Sequence, residues 1–276
     1  GERSGYYADF GRVEQLVKAY TEGFVYTGER SVHRGRVHGT PSRDLPGERF
    51  VVFAQNHDQV GNRARGERLT ALVPFEALKA VAAAYLLAPA LPLLFMGEEY
   101  GEPAPFLYFT SHEDPALAEA VSRGRREEFK AFGWQGEVPD PQDPETFERS
   151  ILDWTLAERE PHAGLRACYR ALLDLRREEP AFGARGKDRV TARAVGDRAV
   201  AVVRRAARGQ GLFVVNLGEA PVDLRLPLRG ARLALALDTA DARFAGPGGA
   251  APAEPSGRLE GRLPGYTAWV YRRRRS

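Results

Sequence analysis

Residues 50–63 read FVVFAQNHDQVGNR. With Arg49, the run RFVVFAQ at 49–55 is short, apolar and rich in β-branched and aromatic side chains, which predicts a strand buried on both faces. A polar loop, 55–69, follows it. Pro74 then opens a predicted helix over 74–88, proline being favoured in a first turn. Residues 91–97, LPLLFMG, form a second predicted buried strand. Strand, helix, strand with short connections is the rhythm of a parallel α/β sheet. Upstream lie a short predicted helix, VEQLVKAY at 13–20, and a glycine- and arginine-rich stretch, 28–48, with no apolar period, expected to be irregular. Downstream, a long loop at 97–115 leads to predicted helices at 115–132 and 162–180.

From about Arg189 the pattern changes. Runs at 198–206, 210–218, 221–228, 231–238 and 266–274 are strand-like, separated by glycine, proline and charged turns, and no helix of normal length fits between them. They predict an antiparallel β-sandwich over 189–276, following an α/β part over 1–188. Residues 245–257, AGPGGAAPAEPSG, are a flexible loop by composition. The arginine run at 272–275 is expected to be a solvated, frayed end.

The chain has 276 residues, 43% hydrophobic and 28% charged, a globular mix. Its net charge of +3 is too small to make nucleic acid the expected partner. One cysteine, Cys168, excludes an intrachain disulfide and a multi-cysteine zinc site. Residues 80–97 carry no charge, but Pro89 and Pro92 argue against a membrane-spanning helix there. His33 and His38 lack acidic neighbours, and Asp140, Asp143 and Glu145 do not have EF-hand spacing, so no metal and no cofactor are expected. No targeting segment is visible, and a cytoplasmic location is the default expectation. The α/β part is expected to be incomplete: it has two predicted parallel strands where a closed barrel needs eight. The first residue is Gly1 and the one methionine is Met96. The missing strands are therefore expected upstream, in an N-terminal part of the same polypeptide.

Asn56, His57 and Asp58 sit just past the first strand. Carboxyl ends of parallel barrel strands carry active sites, and a polar triplet there can contact several hydroxyls of one sugar. The alternative is a loop cap, with Asp58 and Asn62 bonded to a turn and His57 satisfied structurally. Tyr100, Phe106, Tyr108 and Phe109 in the following loop would be either a stacking platform for sugars or a cluster that pins the loop. Arg63 and Arg65 would bond sugar hydroxyls, neutralise the catalytic carboxylates or be solvated loop charges, and Trp134 and Trp154 read as packing residues.

The motif FxxxxNHD after an apolar strand resembles the last shared motif of the α-amylase superfamily of glycoside hydrolases. Residues 54–63, 91–112, 124–134 and 139–154 together resemble the maltooligosyltrehalose trehalohydrolase family within it. That resemblance implies the C-terminal portion of a (β/α)8 barrel, with 49–55 and 91–97 as the seventh and eighth strands, and then an all-β domain. It implies a retaining hydrolase that cleaves the α-1,4 bond next to the terminal trehalose unit of maltooligosyl trehalose, releasing trehalose and a maltooligosaccharide. Asp58 matches the carboxylate that stabilises the transition state, and His57 its neighbour. Asn56, Gln59, Gly61, Asn62 and Arg63 complete the implied substrate-binding segment, and Glu99, Tyr100, Phe106 and Tyr108 are further possible sugar contacts. The nucleophile's G-x-R-x-D segment and the strand ending in the acid/base glutamate have no counterpart here, and neither Glu98 nor Glu99 replaces them. The chain alone is thus expected to be inactive. A glycogen branching enzyme, another superfamily member or a non-catalytic sugar-binding derivative are the competing readings.

Overall fold

The computed structural model describes residues 7–131, 136, 138–183, 186–228 and 232–274. The first helix, α1 (Val13–Glu22), is amphipathic and buries Val13 and Tyr20. It ends at Gly23, whose φ of 101° suits glycine and whose missing Cβ leaves room for the Phe50 ring, 2.5 Å from where that atom would lie. Residues 28–48 are not wholly irregular. Strands β1 (Thr27–Arg30) and β2 (Val37–Gly39) pair as an antiparallel hairpin. The carboxylate of Asp9 accepts hydrogen bonds from Tyr26 Oη, Ser31 Oγ and Val32 N across it. Side-chain hydrogen bonds of this kind, to backbone and to hydroxyls, organise a segment that has no apolar period.

A 3-10 turn at Gly47–Arg49 leads into β3 (Val51–Val52). After it come α2 (His57–Gly61), α3 (Leu69–Leu72), α4 (Phe75–Leu86) and β4 (Leu91–Pro92). The polar loop expected at 55–69 therefore contains a helix. Pro74 is the N-cap of α4, one position before its first turn. β3 and β4 are parallel neighbours, Val51 facing Leu91 and Val52 facing Pro92. Leu91 N donates to Phe50 O at 2.9 Å and Leu93 N to Val52 O at 2.8 Å.

The two strands are parallel neighbours with one covered face and one bare apolar face, as expected of part of a barrel. Val52, Ala54 and Leu94 pack against the helical core, whereas Val51, Phe53, Leu91 and Leu93 are exposed on the opposite face. A parallel strand is apolar on both sides when both are covered, and here helices cover one.

The chain continues through α5 (Pro115–Ala131), α6 (Pro144–Glu148), a 3-10 turn (Trp154–Glu158), α7 (His162–Glu178) and α8 (Pro180–Gly183). Among the described residues, seven strands follow: β5 (Val190–Val195), β6 (Ala199–Ala206), β7 (Gly209–Asn216), β8 (Val222–Pro227), β9 (Leu233–Asp238), β10 (Arg258–Leu263) and β11 (Thr267–Arg273). They form an antiparallel sheet ordered β5-β6-β7-β11-β9 and a hairpin-like pair, β8-β10. One face of the five-stranded sheet (Leu212, Val214, Trp269, Tyr271) packs on Leu224, Leu226, Leu259 and Leu263 of the pair, which makes the expected sandwich. The other face (Val200, Val202, Phe213, Val215, Ala268, Val270) belongs to a second core with α1, α4 and α7. Among the described residues, β3-β4 and the sandwich remain separate sheets.

Two buried arginines join these layers. Arg176 of α7 donates to the carbonyls of Leu86, Ala88 and Ala90, and Arg204 of β6 to those of Leu87 and Phe182. Between them they satisfy carbonyls where α4 ends and the chain turns into β4. Two compositional expectations are corrected here. Residues 245–257 are pinned: the Asp238 carboxylate accepts from Ala250 N at 3.0 Å and Ala251 N at 3.2 Å. Of the terminal arginines, Arg272 pairs with Glu179 at 2.9 Å and Arg274 with Glu254 at 2.6 Å, so these two are held rather than free; Arg275 lies outside the described residues. No helix among the described residues is long and apolar enough to cross a membrane.

Candidate active site

The site is built at the carboxyl end of β3. Asn56, in extended conformation, caps α2: its Oδ1 accepts from Gln59 N at 3.0 Å. Buried Val60 turns one side of this short helix inward. His57 and Asp58, in its first turn, have side chains 72% and 73% exposed that lie 3.3 Å apart, Nε2 to Oδ1. The cap is thus Asn56 rather than Asp58 or Asn62, and Asp58 is left facing solvent. Gln59 and Asn62 are exposed too, Gly61 is buried, and Arg63 lies 3.4 Å from Glu67 across one helical turn.

The loop after β4 is laced to the segment after α2. Phe106 N donates to Gly66 O, and buried Arg68 donates to Ala104 O at 2.6 Å and Met96 O at 2.7 Å. Gly66 has a φ of 58°, and a Cβ there would stand 2.6 Å from Phe106 O. Within the loop the aromatic residues divide. Phe106 stands edge-on to Phe95 and Phe109, and Phe109 to Phe147, which is the pinning cluster. Tyr108 is 44% exposed, with the Arg125 guanidinium 4.8 Å from its ring centroid.

Tyr100 is the correction in this group. It is 1% exposed and its hydroxyl donates to Glu102 at 2.9 Å, so its ring offers no face to a sugar. Trp154 is the reverse case, 64% exposed with its ring tilted on Tyr100, not a buried packing residue. Trp134 lies outside the described residues. Glu99 is partly exposed at the turn after β4. Its neighbour Glu98 is buried, and its carboxylate accepts from the hydroxyls of Tyr85 and Tyr169. Burial holds its carboxyl above the ordinary glutamate range.

Asp140 and Asp143 serve the backbone. Asp140 accepts from Ser122 Oγ at 2.6 Å and Gln142 N at 3.0 Å, which lowers its pKa, and Asp143 caps α6. Sequence reasoning missed Arg125, which is buried on α5 in line with Ser122 and Phe129. Their i, i+3, i+7 spacing marks an inward face, but a count of apolar residues passes over an arginine and a serine.

Compared with known proteins, the chain is 55% identical over 182 residues to a maltooligosyltrehalose trehalohydrolase of Arthrobacter ramosus, covering 65% of this chain and 32% of that protein. It is 43% identical over 249 residues to one from a Rhizobium species, covering 87% and 40%. The chain resembles the C-terminal part of maltooligosyltrehalose trehalohydrolases. It spans between about a third and two fifths of the length of these relatives. A crystal structure described as "Putative alpha Amylase from Salmonella typhimurium" superposes with a TM-score of 0.82 at 36% identity, over 99% of this chain and 44% of that one. The fold is therefore the C-terminal portion of an α-amylase-type barrel, followed by its β-sheet domain. No protein-family model matches the chain.

Proposed function

We propose that the chain, with the further residues its relatives possess, forms a maltooligosyltrehalose trehalohydrolase. That enzyme cleaves the α-1,4 bond beside the terminal trehalose unit of maltooligosyl trehalose with retention. The observation that carries the reading is the placement of Asp58: an exposed carboxylate on a capped helix at the end of a parallel strand, in a chain this similar to proteins of that name. Asp58 would accept hydrogen bonds from ring hydroxyls and stabilise the positive charge of an oxocarbenium-like transition state. His57 would hydrogen-bond the same sugar. Asn56 positions both through the helix cap, Gln59, Asn62 and Arg63 extend the polar surface, and Tyr108 offers a stacking face. The nucleophile and the acid/base come from outside this chain. No cofactor or metal is required by this chemistry. The α/β part over 1–188 supplies the site, and the sandwich over 189–276 supports it from the helix side. A soluble, cytoplasmic enzyme is the proposed setting.

The test is product analysis with the full-length protein and maltooligosyl trehalose. Release of free trehalose is expected. New α-1,6 branches would make it a branching enzyme, and binding without turnover a sugar-binding derivative. The likeness to the Salmonella typhimurium protein favours one further reading, a general α-glucan hydrolase. Equal rates on maltooligosaccharides with and without the trehalose end would select it.

A further inference from the structure

Exposed side chains such as those of His57 and Asp58 are aimed by the backbone that carries them. α2 has five residues, too few to be stable alone, so both its ends need fixing. Asn56 fixes the amino end. The carboxyl end is held from α5, 64 residues away, by Arg125, which is 8% exposed. Its Nη2 donates to the Gly61 carbonyl. Its Nη1 lies 3.4 Å from Asn62 Oδ1 and 3.1 Å from Glu128 Oε2. The guanidinium plane lies against two rings, 4.8 Å from the centroid of Tyr108 and 4.4 Å from that of Phe129. A flat, forked cation can bond and stack at once, which a lysine ammonium cannot do.

We infer that Arg125 is a positioning residue that sets the aim of Asp58 by clamping the end of α2 and, through the same guanidinium, holds the ring of Tyr108. This deepens the hydrolase reading, and only its kinetic arm rests on that reading. Removing the fork leaves the buried Gly61 carbonyl without its charged donor, in a helix too short to hold its shape alone.

The test compares Arg125→Met and Arg125→Lys with the unaltered full-length protein, by amide hydrogen exchange and by kinetics on maltooligosyl trehalose. In the Met variant the Asn62 and Arg63 amides, bonded to Asp58 O and Val60 O, are expected to exchange about tenfold faster. The α7 amides should be unchanged, and kcat should fall about tenfold or more with a smaller change in KM. The Lys variant keeps the charge and the stem, and should show the same pattern even if the Met variant fails to fold. Unchanged exchange at Asn62 and Arg63, or an equal rise in every helix, overturns the inference. If the unaltered protein releases no trehalose, the hydrolase reading fails, while the exchange comparison still decides the role of Arg125.

Discussion

Asp58 is isolated from the packing of the fold, and that makes it a clean target. Asp58→Asn keeps the shape of the side chain and removes its charge. In the full-length enzyme kcat is expected to fall by roughly 10²–10³, as for the loss of one aimed electrostatic stabiliser. The melting temperature should be nearly unchanged, because the side chain is 73% exposed. Steady-state kinetics with a parallel thermal melt check both halves; near-normal kcat would end the assignment. Glu98, 40 positions later, is the opposite kind of carboxylate. Its pKa is raised in the folded state by burial, so it favours folding as a neutral acid. Its contribution is complete below the ordinary glutamate value, about 4.3, and is lost as pH rises through the raised folded value. Replacing it by glutamine, which cannot ionise, should flatten that part of the stability-versus-pH curve relative to wild type. Denaturant melts of the two proteins across the range decide this, and parallel curves would show that Glu98 is not the titrating group.

At the scale of elements, the connection from α4 to β4 depends on side chains remote in sequence. Arg176 alone serves three carbonyls of that turn. Arg176→Met should cost at least about 2 kcal/mol, since unpaired buried carbonyls cost about 1–3 kcal/mol each. Urea denaturation measures it, and a loss below about 0.5 kcal/mol would show that water replaces the arginine. This connection also shows what the sequence conveyed and what it withheld. The α1, α4, α5 and α7 helices and five of the strands in the sandwich were legible because apolar periodicity or propensity marks them. The hairpin β1-β2 and the helix α2 were not, because the hydrogen bonds of single side chains, Asp9 and Asn56, organise them. For the site, NHD and its place at a strand end were legible. The burial of Tyr100 and the clamp by Arg125 were not, since both depend on contacts between segments far apart in the chain.

For the whole molecule, the exposed row Val51, Phe53, Leu91 and Leu93 is a sheet face without its layer. On the proposed reading, the rest of the barrel covers it and brings the two absent carboxylates, which in retaining enzymes stand about 5–5.5 Å apart. The chain purified alone should therefore release no trehalose, and adding the upstream part by co-expression should restore release. Activity of the isolated chain, in a preparation free of other hydrolases, would refute the proposal.

The five-stranded sheet seals two cores at once, the sandwich on one face and α1, α4 and α7 on the other. This sets a rule for recombination. A sandwich grafted from a relative at the proposed boundary near residue 188 would bring foreign partners for Leu165, Leu172 and Tyr20, so chimeras joined there should express poorly unless the helix-facing residues of β6, β7 and β11 travel with their helical counterparts. In evolutionary drift the same residues are expected to change together, as halves of one packed surface, and the apparent modularity of the chain would stop at this sheet.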